Sequence, residues 1–197
     1  FRIEDKIPLT KYDRLVIFKE LNEKGMKKLF PDRKIFSLYF DNNELNIYKD
    51  SIEGLVPRKK IRIRNYNDNK NYNFEIKISS VEGRYKKSYP IKINDYEKKI
   101  YYGHFDNQYG LVRTVVLITY TRMYYKYKDL RITIDNDIKF YDYNNIKNYF
   151  QSDKNVLEIK SPNLSDKDLI NSLIPFEKKR FSKYTESLES LNLLNLN

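Results

Sequence analysis

The chain has 197 residues, no cysteine, one histidine and a formal net charge of +11, with 40% apolar and 33% charged residues. That length suits one domain with a proper core and is short for two. The composition excludes disulfides, thiolate metal sites and multi-histidine sites, so a bound metal must be held by carboxylates and phosphate oxygens, a donor set that suits Mg²⁺ or Mn²⁺. The charge points to a polyanionic partner, whether nucleic acid, membrane surface or phosphate. Part of it belongs to a general richness in Lys, Asn, Tyr and Ile. No apolar run approaches the roughly 20 residues of a transmembrane helix, and no secretory signal is visible. The start at Phe1 reads as that of an excised segment.

Residues 1–7 predict a strand with Arg2, Glu4 and Lys6 on one face. Thr10 offers an N-cap to an amphipathic helix within 11–29, carrying Leu15, Phe18, Leu21 and Met26 and ending near Gly25 or Phe30. An apolar strand at 35–40 stops at Asp41-Asn42-Asn43, and a weak helical turn follows through Leu45 and Tyr48. Residues 58–79 form a hairpin, and 84–90 an edge-type strand closed by Pro90, with Tyr85 and Lys87 on one face. Between 91 and 110 the pattern is poorest and suggests a short helix and loops. Leu111 to Arg122 is the longest apolar strand, residues 129–135 alternate strictly, and 155–160 give a last strand, for about eight in all. Ser165 with Asp168 resembles a capping box for a helix through Leu169, Leu173 and Ile174. Leu188, Leu191 and Leu194 suggest a short helical tail over 185–197.

The hairpin is the organising stretch. Arg62 and Arg64 share one strand face, as do Glu75 and Lys77, while Ile61, Ile63, Phe74, Ile76 and Ile78 fill the other. Paired arginines offer planar forks of donors suited to phosphate oxygens. The plain alternative is a solvated face laced by cross-strand ion pairs, each worth roughly 0–1 kcal/mol. The same alternation of apolar and charged residues recurs at Glu4 and Lys6, Arg131 and Asp135, and Glu158 and Lys160. If the sheet closes on its charged side, its interior is a chamber for a polyanion. Phosphoryl transfer there needs alignment, cations on the non-bridging oxygens and metal ions bridging phosphates. Glu158, with Glu4 or Glu75, could supply the metal's carboxylate.

A series of segments carries a family resemblance: Arg-Ile-Glu-Asp-Lys at 2–6, Ser-Leu-Tyr-Phe-Asp at 37–41, Lys-Ile-Arg-Ile-Arg-Asn-Tyr at 60–66 and Phe-Glu-Ile-Lys at 74–77. Tyr-Thr-Arg follows at 120–122, Arg-Ile-Thr-Ile-Asp at 131–135, Leu-Glu-Ile-Lys at 157–160 and Phe-Ser-Lys-Tyr at 181–184. In this order and spacing they resemble the triphosphate tunnel metalloenzymes (CYTH-like proteins), and within them the vacuolar-transporter-chaperone (VTC) domain. The resemblance implies an α+β fold, mainly antiparallel β, in which an eight-stranded closed β-tunnel with a charged interior is flanked by helices, the whole of 1–197 forming one domain. It implies a soluble domain on the cytoplasmic face of a parent protein or complex that is membrane-associated. The partners implied are ATP and inorganic polyphosphate, with Mn²⁺ or Mg²⁺ as cofactor and no specific nucleic acid.

Carried over position by position, Lys6, Arg62, Arg64, Lys77, Lys87 and Arg122 line the tunnel as phosphate ligands, and Glu158 holds the metal, with Glu4 beside it. Arg62, Arg64, Lys77 and Arg122 are the candidate catalytic cations. Arg180 and Lys183 belong near the mouth, and Arg131 and Lys160 are further candidates for substrate binding. Arg2 stands where hydrolase and cyclase branches carry the first of two glutamates, and this favours the polymerase branch. The activities implied are polyphosphate synthesis from the terminal phosphate of ATP, triphosphate hydrolysis, or polyanion binding without turnover. His104 reads as a loop residue, and the tyrosine pairs 101–102 and 124–125 as edge and packing residues.

Overall fold

The computed structural model describes residues 3–67, 69–163, 166–173 and 181–195. In chain order the elements are β1 (Ile3–Leu9), α1 (Lys11–Glu23), β2 (Lys27–Asp41), α2 (Asn46–Glu53), β3 (Arg58–Tyr66), β4 (Tyr72–Ser80), β5 (Gly83–Ile91), α3 (Ile93–Tyr102) and β6 (His104–Asp106). Then come β7 (Gly110–Tyr127), β8 (Leu130–Asp142), β9 (Tyr149–Gln151), β10 (Asn155–Ser161), α4 (Lys167–Leu173) and α5 (Lys183–Ser190). Eight strands lie on one pairing path, as expected, and the short β6 and β9 pair beside β7 and β8. Every strand pair with a resolved register is antiparallel. Among the described residues no helix is long and apolar enough to cross a membrane.

The chain forms two compact units. The first comprises Phe1–Lys34, Tyr120–Ile138 and Gln151–Phe181. In it β1 pairs with β10 and β10 with β8, so that Lys6 opposes Glu158, Glu4 opposes Lys160, and Thr133 and Arg131 oppose Glu158 and Lys160 from the other side. The opposite face is apolar: Ile7, Leu9, Ile132, Ile134, Leu157 and Ile159 are buried with Ile17 and Leu21 of α1 and Ile170 and Leu173 of α4. Each such side chain contributes about 1.5–3 kcal/mol when fully buried.

Thr10 caps α1 as expected, accepting from the Asp13 amide at 3.1 Å while its own amide donates to the Asp13 carboxylate at 3.0 Å. The helix ends at Glu23, near Gly25 as one of the two expected ends had it and short of Phe30. Gly25 takes φ +92°, where a Cβ would be strained whatever the space, and Lys27 already starts a 15-residue strand. The Ser165 cap expected for α4 lies outside the described residues.

The second unit comprises Ile35–Thr119, Lys139–Phe150 and Ser182–Asn197. Its strands run in the order β2-β3-β4-β5. Phe40 opposes Ile61, Ile63 opposes Phe74, and all four are 2% exposed or less. Pro90 sits inside β5 opposite Asn73 and does not close it. A strand at the end of the pairing order tolerates the missing donor. The tail is packed: Tyr184, Leu188, Leu191 and Leu193 are buried, and only Leu194 of the expected leucines is exposed.

Candidate functional site

Strand parity sets the polar face of the second unit. Arg62 stands between Tyr39 and Glu75, Arg64 between Ser37 and Asn73, and Lys60 opposite Lys77, which opposes Lys86 in turn. Arg62 is held on three nitrogens: Nε donates to Glu75 Oε2 at 2.7 Å, Nη1 to the Tyr39 hydroxyl at 2.8 Å, and Nη2 lies 2.5 Å from Glu75 Oε2. Arg64 Nε donates to Ser37 Oγ at 3.0 Å. The other Glu75 oxygen meets Lys86 Nζ at 2.5 Å.

Burial would push the Glu75 carboxyl up, yet Arg62, Arg64 and Lys86 outweigh it and bring the pKa down to about 2. Tyr39 shows the same contest. Burial raises its phenol, and the two guanidinium groups with Lys60 overcome that and lower it to about 7. These are the signatures of a strongly positive local field acting on groups shielded from water.

The N-terminus of α5 closes on this face. Lys60 Nζ donates to Ser182 Oγ at 2.6 Å, the Tyr184 ring stacks on Tyr39 with centroids 5.2 Å apart, and the Tyr184 hydroxyl donates to the buried Asp41. Lys183 follows Ser182 directly, while Arg180 lies outside the described residues.

One expected ligand is misplaced by a single residue. Lys87 opposes Ile76 and so belongs to the apolar side, where it lines a cavity of about 220 Å³ with Lys59, Ile78 and Phe105. Lys86 occupies the position on the arginine face that the resemblance gave to Lys87. Arg84-Tyr85-Lys86-Lys87-Ser88 is polar on both alternations, so hydrophobic period could not choose the face. Tyr39, Lys60 and Asp41 were missed as individual residues, although the segments that hold them had been singled out.

The first unit has its own charged face. Lys6 Nζ lies 2.9 Å from Glu4 Oε1, and Lys160 Nζ 2.8 Å from Glu158 Oε1 and 3.8 Å from Glu4 Oε1. Arg122 clamps Asp135 through Nε at 2.6 Å and Nη2 at 2.8 Å, with Glu158 Oε2 3.7 Å away. Burial opposes ionisation of Glu158, and Lys6, Arg122 and Lys160 overcome it, holding the carboxyl below its ordinary range. Arg131 lies over the Tyr124 ring at 5.9 Å. Lys6, Glu4, Lys160, Glu158 and Arg122 are thus linked by ion pairs, while Arg131 opposes Lys160 in register. Arg122 is a half-buried partner of the buried Asp135.

Among the described residues no three His, Cys, Asp or Glu side chains converge as a metal cage. Glu4 and Glu158 share the Lys160 ammonium. Two carboxylates supplemented by substrate phosphates are a donor set that fits Mg²⁺ or Mn²⁺. Glu75 fits less well, since cations lie 2.7 and 2.5 Å from its two oxygens, whereas Arg122 stands 3.7 Å from Glu158 Oε2.

His104 lies in the short strand β6, where its ring meets Phe74 edge-on at 4.8 Å. Tyr124 and Tyr125 are buried packing residues as expected, and Tyr101 and Tyr102 are exposed.

The antiparallel α+β fold is shared with solved structures. A Bacillus halodurans protein provisionally described as an adenylate cyclase superposes with a TM-score of 0.64 at 11% identity, over 92% of this chain and 94% of that one. A Hippeastrum protein, provisionally an adenylyl cyclase and described as having a dominant triphosphatase activity, gives 0.65 at 13% identity, covering 96% of each chain. A conserved hypothetical protein of Pyrococcus furiosus gives 0.58 at 15%, over 95% and 99%. At these identities the likeness is one of fold. No curated protein sequence matches the chain. The family model described as the VTC domain matches residues 2–192, and the chain belongs to that family.

Proposed function

We propose that this VTC domain is a polyphosphate polymerase that transfers the terminal phosphate of ATP to a growing inorganic polyphosphate chain. One observation carries the reading: one face of β3, β4 and β5 carries five cations, Lys60, Arg62, Arg64, Lys77 and Lys86, with one buried carboxylate, Glu75, among them. A site so strongly positive favours a ligand with several adjacent negative charges. Closure of the sheet into a tunnel with a charged interior belongs to the same proposal.

In the proposed reaction a terminal oxygen of the acceptor chain attacks the γ-phosphorus of ATP, the bond from that phosphorus to the β–γ bridging oxygen breaks, and ADP leaves with the electron pair. Arg62 and Arg64 hold the non-bridging oxygens, where charge is spread in the transition state. Lys77 and Lys86 neutralise the flanking phosphates, and Lys183 at the start of α5 is proposed to do the same. Lys6, Arg122, Arg131 and Lys160 form the basic set of the first unit. Glu4 and Glu158 would hold Mn²⁺ or Mg²⁺, which when bound supplies charge neutralisation of adjacent phosphates.

The second reading is a metal-dependent triphosphatase, in which water is the acceptor. The shared fold with the Hippeastrum protein favours it, and Arg2 in place of a glutamate weighs against it. A polyphosphate-binding module without turnover is the third.

The test is incubation of the domain with ATP and Mn²⁺, read by phosphorus NMR, with Glu158→Gln as control. Internal-phosphate signals that grow with ADP and are lost in the control are the expected result. Orthophosphate and ADP would establish the hydrolase, and unchanged but bound ATP the binding module. Arg62→Ala or Arg64→Ala should lower turnover by about 10²–10³.

A further inference from the structure

Glu75 has a place in the arginine cluster that the catalytic reading leaves unexplained. It is 2% exposed, yet it carries a full negative charge in the middle of a face built to receive negative charge. Its Oε2 takes the Nε and Nη2 edge of Arg62, the edge that offers two parallel donors to an oxyanion. Its Oε1 takes Lys86 at 2.5 Å and accepts more weakly from Ser88 Oγ at 3.5 Å. The third nitrogen of Arg62 is engaged by Tyr39. An incoming phosphate therefore meets a guanidinium whose best edge is already filled by a carboxylate.

We infer that Glu75 is an internal counter-anion that competes with phosphate for Arg62 and Lys86 and sets the affinity threshold for polyanions. This rests on the phosphate-binding reading of that face. A buried guanidinium without an anion would be costly, and Glu75 supplies that anion to Arg62. The same carboxylate repels the ligand, because its charge stays close to the phosphate that displaces it. An orthophosphate offering one such contact competes poorly with a tethered carboxylate. A chain of three or more phosphates engages Arg64, Lys60 and Lys77 as well and displaces it. Glu75 is thus a specificity-determining residue that favours long polyanions over single phosphates, and it acts through Arg62 and Lys86.

The experiment is titration of the domain with sodium tripolyphosphate and with orthophosphate by calorimetry in the presence of EDTA, comparing the unaltered chain with Glu75→Gln and Glu75→Asp. Glutamine keeps the shape and removes the charge, and aspartate keeps the charge but draws it back from Arg62. Glu75→Gln should bind tripolyphosphate about tenfold more tightly and should gain proportionally more for orthophosphate, narrowing the preference between the two. Circular dichroism establishes folding, and if the glutamine variant does not fold, the aspartate variant is read in its place, with a smaller gain in the same direction. Unchanged or weaker tripolyphosphate binding in a folded variant overturns the inference and leaves the phosphate-binding face intact. An unaltered chain that does not bind tripolyphosphate overturns both.

Discussion

The Tyr184 hydroxyl of α5 donates to the carboxylate of Asp41, 143 residues earlier in β2. Asp41 also accepts from the backbone amides of Asn42, Ile47 and Tyr48, so one buried side chain ties the end of β2 to the start of α2 and to α5. Burial pushes the Asp41 carboxyl up, and these four donors hold part of that rise back. Tyr184→Phe keeps the ring stacked on Tyr39 and removes only the donor. It should cost about 1–3 kcal/mol of stability, read as a lower urea midpoint with an unchanged slope. An unchanged midpoint would show that the helix is held by its apolar side chains alone.

Tyr39 should titrate near neutrality. Its phenol is lowered from 10.0 to about 7 because Arg62, Arg64 and Lys60 outweigh the cost of burial. Between those two values the unfolded chain keeps a proton that the folded chain has lost, so this group makes stability rise with pH across the window and lends nothing below it. A phenolate absorbance step worth one tyrosine, centred near pH 7 and missing in Tyr39→Phe, is the expected result. Tripolyphosphate should move the step to higher pH, since a bound polyanion opposes a second negative charge beside Arg62.

The hairpin face was legible because period-two alternation is reliable when one side is purely apolar, as Ile61, Ile63, Phe74 and Ile76 are. The Thr10 cap was legible for a local reason, since a cap is written within four residues. What was not legible depends on distance or on absent contrast. Nothing near Asp41 announces Tyr184. The first half of β2 is exposed and contains Pro31, so it shows no strand pattern. The face of Lys86 depends on a register set beyond the turn after Ser80, where an error of one residue exchanges the two sides.

Arg122 and Asp135 should behave as a structural unit before any role in catalysis. Asp135 is 1% exposed and receives both donors of the Arg122 fork. Removing one member of a buried pair leaves the other charge poorly compensated, at a cost of about 3–5 kcal/mol. Arg122→Met should therefore show a large fall in the urea midpoint, and Arg122→Met combined with Asp135→Leu should recover most of it. A double-mutant cycle measures the coupling directly. If the double variant is stable but no longer turns over ATP, Arg122 has a catalytic share that the single variant could not have revealed.

Lys86 and Lys87 are adjacent in sequence and lie on opposite sides of β5, so they separate the proposed phosphate-binding face from its reverse. Lys86 meets Glu75 within the arginine cluster, and Lys87 lies opposite Ile76 at the cavity with Phe105. Lys86→Ala removes a cation from the face and frees Glu75 to hold Arg62 more firmly, and both effects weaken polyanion binding. Tripolyphosphate affinity should fall by about two- to tenfold, with a shallower dependence on salt because one charge fewer is engaged. Lys87→Ala should leave affinity within about twofold, since an exposed cation behind the sheet acts only through screened, long-range charge. A loss confined to Lys87→Ala would mean that the strand register is shifted by one residue, and would move the proposed ligand set to the other face of β5.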